Sequence, residues 1–297
     1  MKNWEQEILK SGVLTPEQLE KAVEQKMNEG ARSRRSAARK VYREVAQEEI
    51  DVKDIEGFFL GQYERQRGGI SLYIQTPKKT TKRITIGDST PDTNVVLKVG
   101  DPIKLTNVRT MSNRFTGNTW LETGPKTEPV SIESEITVKD CFTPMEKAEK
   151  VTLIRAEVGQ VFAVSKYENG EISERLPILG TGDEANLRLV LVAGEEDVSV
   201  RVVNKTQLRN LVGRDLTWLD EEDAIRELAD MLIGEEVLVF GTIRREFGRG
   251  KDVREVNPYM MISNFGWIVK IGNVSNVEKP AGNVSEGDDN SSENDED

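Results

Sequence analysis

The sequence contains no histidine and a single cysteine, Cys141. Histidine is the commonest general base and metal ligand, so its absence removes the Ser-His and Cys-His nucleophile systems. One cysteine allows neither an internal disulfide nor a zinc site built from thiolates. Carboxylates, with or without magnesium, and lysine are the remaining routes to catalysis. We therefore expect a protein that is not an enzyme and that uses no cofactor or metal.

Long apolar segments are also missing. No apolar run approaches the roughly 18 residues that a membrane-spanning helix needs. The N-terminal segment MKNWEQEILK has acidic residues where a signal peptide has an apolar region. These features predict a cytoplasmic protein without membrane association.

Positive charge is in deficit, with 41 Lys and Arg against 52 Asp and Glu and a net charge of −11. The final segment EGDDNSSENDED alone holds seven of the acids, and the rest of the chain carries only −4. Because the local field matters more than the total, a basic groove elsewhere is still compatible with this balance. Composition predicts a disordered acidic tail over residues 273–297.

Residues 1–50 are predicted to form a helical module. Thr15 and Pro16 are typical of a helix start, and Leu19, Val23 and Met27 follow with helical spacing. A second helix is predicted from Ser33 to Gln47. Its basic side chains could be a solvated face or a contact with a DNA backbone; they are Arg32, Arg34, Arg35, Arg39, Lys40 and Arg43.

An alternation of apolar and polar residues predicts a first β-barrel over residues 51–138. In ISLYIQT, Ile70, Leu72 and Ile74 are expected to point inward and Tyr73 outward. Five short strands in so few residues favour a small barrel over a seven-stranded sandwich. The strand segments are GFFLGQY, ISLYIQT, KRITI, VGDPIKLTNV and TWLET.

A second barrel is predicted over residues 151–272, after a linker at 139–150. Its first four strands are assigned to GQVFAVSKY, NLRLVLVAG, VSVRVVNK and EVLVFGTIRRE, and YMMISNFGWIVKI completes it. A capping helix at about 221–233 lies between the third and fourth strands, which is the arrangement of an OB-fold. The fold class is therefore mainly β with α: tandem five-stranded Greek-key OB-fold barrels after a helical N-terminal module.

These features together resemble archaeal-type replication protein A over about residues 10–270. The resemblance is carried by the helices ILKSGVLTPEQLEKAVEQKMNEG and RRSAARKVYREV, by VKDIEGFFLGQY followed by KRITIGDST and LKVGDPIKLTNVRT, by EEDAIRELADMLIG before EEVLVFGTIRREFGRG, and by the tandem duplication itself. It implies sequence-independent binding of single-stranded DNA during replication, repair and recombination, in an archaeal-type cell or in a host cell if a virus encodes the protein. The acidic tail could then compete with DNA for the basic grooves, dock a polymerase, primase or repair protein, or simply solubilise the chain. The chain departs from many members in lacking a four-cysteine zinc element.

Binding of an unpaired strand requires flat side chains for base stacking and a basic groove for phosphates. Phe115 and Phe247 lie among polar residues in the predicted loops between the fourth and fifth strands, and they are candidate stacking residues together with Tyr73 and Trp120. Trp120 could equally belong to the core, to which Phe162, Phe240 and Trp267 are assigned. The candidate phosphate contacts are Lys78, Lys79, Lys82, Arg83, Arg109, Arg114, Arg188, Arg201, Arg244, Arg245, Arg249, Lys251 and Arg254.

Three other functions stay open on the sequence. The same barrels could bind RNA, because OB-folds bind both nucleic acids. They could also serve as a protein-interaction adaptor without nucleic-acid affinity. A carboxylate-based nuclease is the third alternative, although acids such as Glu195, Glu196 and Asp197 fit a solvated turn better.

Overall fold

The computed structural model describes residues 4–64, 69–87, 97–148, 150–168, 171–213, 215–219, 223–247, 254–262 and 266–277. The chain divides into two compact units, Met1–Phe142 and Thr143–Asp297. Within the described ranges, no helix is long and apolar enough to cross a bilayer.

Three helices open the first unit: α1 (Trp4–Ser11), α2 (Pro16–Asn28) and α3 (Arg34–Ala46). Thr15 and Gln18 form a reciprocal capping box at the start of α2, which satisfies backbone N–H groups that the helix leaves unpaired. Apolar side chains from all three helices form a small separate core; they include Ile8, Leu19, Val23 and Val41.

The first barrel follows α3 without a loop. Its strands are β1 (Gln47–Glu64), β2 (Ile70–Gln75), β3 (Thr81–Thr85), β4 (Pro102–Asn113), β5 (Thr119–Glu122) and β6 (Glu128–Ser131). They pair in the order β1-β2-β3-β5-β4, and β1 pairs with β4 to close the ring. All these pairs are antiparallel except β3 with β5. This connectivity is that of a Greek-key OB-fold, so the predicted fold class is confirmed.

The second unit repeats the connectivity. Its elements are β7 (Val151–Ala163), β8 (Ser165–Glu168), β9 (Glu171–Arg175), β10 (Glu184–Ala193), β11 (Glu196–Asn204), α4 (Lys205–Val212), α5 (Ala224–Leu232), β12 (Glu236–Phe247), β13 (Arg254–Met261) and β14 (Trp267–Lys270). The ring β7-β10-β11-β13-β12 is closed by β12 with β7, and β11 with β13 is its parallel pair. Both barrels therefore place their strands in the same order.

The structure adds elements that the sequence patterns did not predict. A sixth strand pairs with the fourth strand of each barrel, β6 with β4 and β14 with β12. The segment between the third and fourth strands of the second barrel holds two helices, α4 and α5, where one was predicted. A small hairpin, β8 with β9, lies between the first and second strands of that barrel.

The stretch 139–150, predicted to be a linker, carries buried side chains. Cys141 is 1% exposed within the first unit, and Met145 and Ala148 belong to the core of the second. Val274 is also buried, although residues from 273 onward were assigned to the tail. The acidic segment beyond residue 277 lies outside the described residues.

Candidate nucleic-acid interface

The outer side of β2 in the first barrel is closed. Leu72 and Ile74 fill the barrel core, and the alternate residues Ser71, Tyr73 and Gln75 are also buried. The Gln75 amide donates a hydrogen bond to the backbone oxygen of Cys141, so the segment after β6 lies over this strand. Tyr73 is only 6% exposed, which makes its prediction as an accessible stacking residue wrong: the polar side of β2 is covered by the chain itself.

Tyr63, beside Tyr73, also lies where solvent is largely excluded. The rings of Tyr63 and Tyr73 lie 6.0 Å apart between centroids. Burial raises the pKa of the Tyr63 phenol well above its ordinary value, because the charged form would lose its hydration. The outer side of β2 is therefore part of a packed interior.

The loop between β4 and β5 packs against the helical module. The Phe115 ring stacks on Tyr42 of α3, with ring centroids 4.8 Å apart and planes 28° from parallel. The Arg114 backbone N–H donates to Ala46 at the end of α3, and the Arg114 guanidinium pairs with Glu48 at 3.0 Å. Phe115 was predicted to stack on a base; in the structure its ring packs on the helical core instead.

Trp120 and Arg109 share one carboxylate. The Trp120 indole N–H donates to Glu122 at 3.0 Å, and Arg109 donates to the other oxygen of Glu122 at 2.8 Å and to the Thr123 carbonyl at 3.0 Å. Arg109 was predicted as a phosphate contact. The structure uses it to join β4 to the end of β5, because this carboxylate and carbonyl accept its N–H groups.

The basic residues between β2 and β3 stay accessible. Lys78 and Lys79 are exposed in the turn, with the Lys79 ammonium 5.2 Å from the centroid of the Phe142 ring. Lys82 and Arg83 lie on β3 rather than in the loop, and both are exposed. Arg83 donates to the hydroxyl of Ser71 at 3.3 Å. This end of the first barrel is basic but has no exposed ring among the described residues.

The second barrel presents an open outer face. Phe162 of β7 lies opposite Arg188 of β10, which lies opposite Arg201 of β11. Both arginines are exposed, as predicted, and Phe162 is 44% exposed. Neighbouring strands are about 5 Å apart, so the backbone positions of Phe162, Arg188 and Arg201 span about 10 Å across three strands.

Phe162 was predicted to lie in the core, and the course of β7 explains why it does not. The register shifts between Gln160, which faces Val190, and Val158, which faces Leu191, so that Gly159 is an extra residue in the strand. A bulge of this kind changes which side chains face inward. Val158 and Val161 both enter the core, and Phe162 is turned to the solvent.

A second row on the same surface adds a ring and a cation. Ser199 of β11 faces Tyr259 of β13, which faces Arg244 of β12. Tyr259 is half-buried and Arg244 is exposed, while Arg188 donates to the Ser199 hydroxyl at 2.9 Å. We call the surface formed by Phe162, Arg188, Arg201, Tyr259 and Arg244 the Phe162 face.

The outer surface of the second barrel changes from basic to acidic along its strands. One row beyond Tyr259, the outer positions are Glu157, Val192 and Asp197. Neither Arg201 nor Arg244 makes an ion pair with any described residue, so their charge is available to a ligand. The Phe162 face therefore offers a positive region that stops at an acidic edge.

The other residues of the second barrel that were predicted to contact DNA either bind other groups of the protein or lie outside the described residues. Arg245, predicted to bind phosphate, forms an ion pair with Glu196 and donates to the Met145 carbonyl at 3.1 Å. Phe247 and Arg254 pair through their backbones at the ends of β12 and β13. The side chains of Phe247 and Arg254, and the whole of Arg249 and Lys251, lie outside the described part of the structure.

Sequence reasoning missed Phe162 and Tyr259 as members of the candidate interface. The glycine at 159 inside an apolar run is the signal that could have found Phe162, since a glycine within a strand often marks a bulge. For Tyr259, the signal was the alternation with the buried Met260.

No family model and no curated protein matches the chain. Solved structures do match it. A murine DNA-binding protein bound with double-stranded DNA is 10% identical over 74% of this chain and 96% of that chain, with a TM-score of 0.34. A replication protein A heterotrimer bound to single-stranded DNA is 11% identical over 74% of this chain and 49% of that chain, with a TM-score of 0.32. The tetrameric p202 HIN2 structure is 9% identical over 75% of this chain and 93% of that chain, with a TM-score of 0.31.

The present chain thus spans about half the length of the replication protein A chain that it matches. Likenesses this distant carry no functional argument, and the OB-fold assignment rests on the strand connectivity of each barrel. The specific resemblance to archaeal-type replication protein A stays a prediction.

Proposed function

We propose that the protein binds single-stranded DNA without sequence preference, and that the Phe162 face of the second barrel is the main contact. The observation that carries this proposal is the row of Phe162, Arg188 and Arg201 on three adjacent strands. A flat ring beside two cations can stack on a base while the cations contact the neighbouring phosphates. Neither interaction distinguishes one base from another.

An unpaired strand suits this surface better than a duplex. The exposed ring of Phe162 can reach the face of a base only where that base is not stacked within a helix. The guanidinium groups of Arg188 and Arg201 provide paired N–H donors that match phosphate oxygens. The positive region ends at Glu157 and Asp197, which would repel a strand that continued in that direction.

The first barrel has a different role in this proposal. Its outer β2 side and its β4–β5 loop are covered by its own chain, through Tyr73, Cys141 and Phe115. It acts as a scaffold for the helical module, with the exposed Lys78, Lys82 and Arg83 as auxiliary phosphate contacts. The wider proposal is a non-catalytic cytoplasmic protein that protects unpaired DNA in replication, repair and recombination, with the acidic tail as a docking site for polymerase, primase or repair proteins.

Fluorescence anisotropy with single-stranded DNA tests the site through Phe162→Ala. We expect affinity to fall between about fivefold and about 150-fold, since a base–aromatic stack contributes about 1–3 kcal/mol. The matched control is Val192→Ala, which removes an exposed apolar side chain from the acidic end of the same barrel surface. Its affinity should equal that of the unmodified protein.

Equal-length duplex DNA and RNA complete the experiment. Binding that prefers RNA would replace the DNA assignment, and an unchanged affinity of Phe162→Ala would remove the Phe162 face from the mechanism. No binding to any nucleic acid at low salt would favour the protein-interaction adaptor. Incubation of labelled strands with magnesium checks the proposal that the protein does not cleave them.

A further inference from the structure

We infer that α3 carries a second contact surface for the nucleic-acid backbone, on a different structural unit from the Phe162 face. This inference rests on the proposed function. The surface consists of exposed cationic residues on α3 and just before it, and we call it the basic stripe. Its members are Arg32, Arg35, Arg39, Lys40 and Arg43.

Four acids close to α3 are already paired with cations outside the stripe. Arg34 bridges Glu5 at 3.0 Å and Glu20 at 2.5 Å. Lys26 of α2 binds Glu29 at 2.9 Å and Glu44 at 2.8 Å. These four carboxylates therefore have partners that hold them in place.

Two members of the stripe keep their charge available. Neither Arg39 nor Arg43 has an ion pair with any residue in the described ranges, and both are exposed. The hydrogen bond from Arg34 lowers the pKa of Glu20, because it stabilises the ionised carboxylate. Arg39 and Arg43 are thus positive groups without an ion-pair partner among the described residues.

The spacing along α3 fits a repeating anion. Arg39 and Arg43 are four residues apart, which is an advance of about 6 Å along a helix that rises 1.5 Å per residue. That step is comparable to the separation of successive phosphates along one strand. Two guanidinium groups on residues with this spacing match a phosphate backbone better than they match an acidic peptide, whose carboxylates have no fixed spacing.

The contact would involve no base. Tyr42, which lies beside Arg39 and Arg43 on α3, is 7% exposed, with its ring stacked on Phe115 and tilted against Trp4. A strand lying on α3 would therefore meet guanidinium groups rather than the ring of Tyr42. Such a contact lengthens the footprint through charge alone, and the salt dependence of binding reports it.

The test uses the full chain and poly-pyrimidine single-stranded DNA, with affinity measured across a series of salt concentrations. We expect Arg39→Gln with Arg43→Gln to make the slope of log affinity against log salt shallower by about 1.4, at about 0.7 for each phosphate that the variant no longer neutralises. Glutamine maintains helix propensity, and circular dichroism should show unchanged helicity. The charge-matched control, Lys21→Gln with Arg226→Gln, removes two exposed cations from α2 and α5 and should leave the slope unchanged.

A second variant tests whether the positive charge of these side chains, and not the shape of the guanidinium group, sets the salt slope. Arg39→Lys with Arg43→Lys keeps both charges and should retain the slope of the unmodified protein. A glutamine variant whose slope equals that of the unmodified protein would overturn the inference while leaving the Phe162 face in place. Failure of the unmodified chain to bind any strand would overturn both proposals together.

Discussion

Single side chains determine which rings of this protein can meet a ligand. Phe115 and Phe162 are both partly exposed to the space around their barrels, but their neighbours differ. Phe115 has Tyr42 against its face, whereas Phe162 has arginines beside it on the next strands. The first ring stabilises the protein, and the second is available for stacking.

Phe115→Ala should therefore lower stability and leave strand affinity unchanged. The free energy of unfolding of the first unit should fall by about 2 kcal/mol, because the variant removes a stacked aromatic pair and the partial burial of the ring. Urea denaturation followed by circular dichroism measures it. Phe162→Ala is the reciprocal control, with weakened binding and near-normal stability. A Phe115→Ala protein of normal stability but weak binding would show that the loop opens to hold DNA.

At the scale of the strand, glycine positions determine how closely the barrel strands can approach one another. A Cβ atom at Gly241 in β12 would lie 2.5 Å from the backbone oxygen of Met261. Gly57 in β1 has a similar environment, since a Cβ there would clash with the backbone oxygen of Gln75. A backbone oxygen cannot swing aside as the end of a flexible side chain can, so these positions fit only glycine.

Gly241→Ala should destabilise the second barrel by at least about 1–3 kcal/mol, because an added methyl group forces the strands of a closed barrel apart. Thermal unfolding measures the change. Gly272→Ala is the matched control, since a Cβ there meets nothing within 4 Å. Equal melting temperatures for the two variants would contradict the close packing of β12.

At the scale of the whole molecule, the two units have separate cores and separately closed barrels. We expect a fragment of residues 143–297 to fold on its own and to retain the Phe162-dependent part of the affinity. A fragment of residues 1–142 should fold as well, with weak and strongly salt-sensitive binding through the basic stripe. Thermal unfolding and anisotropy on both fragments check this. Tighter binding by the first fragment than by the second would reverse the assigned roles.

The order of apolar alternation and helical spacing along the chain was sufficient to predict two OB-fold barrels after a helical module. These are local patterns, and each strand or helix needs only its own periodicity to be recognised. The outward placement of Arg188 and Arg201 followed from the same alternation, since Leu187, Leu189, Val200 and Val202 beside them are apolar.

Only the tertiary structure decided which surface is open. The bulge at Gly159 turned Phe162 outward, folding buried Tyr73 beside Tyr63, and the ring of Phe115 packed on Tyr42 of α3. Each of these outcomes depends on residues that are distant in sequence or on a one-residue shift in strand register. Burial is a property of the neighbours that folding brings together, so a pattern read along the chain could identify the rings but could not show what covers them.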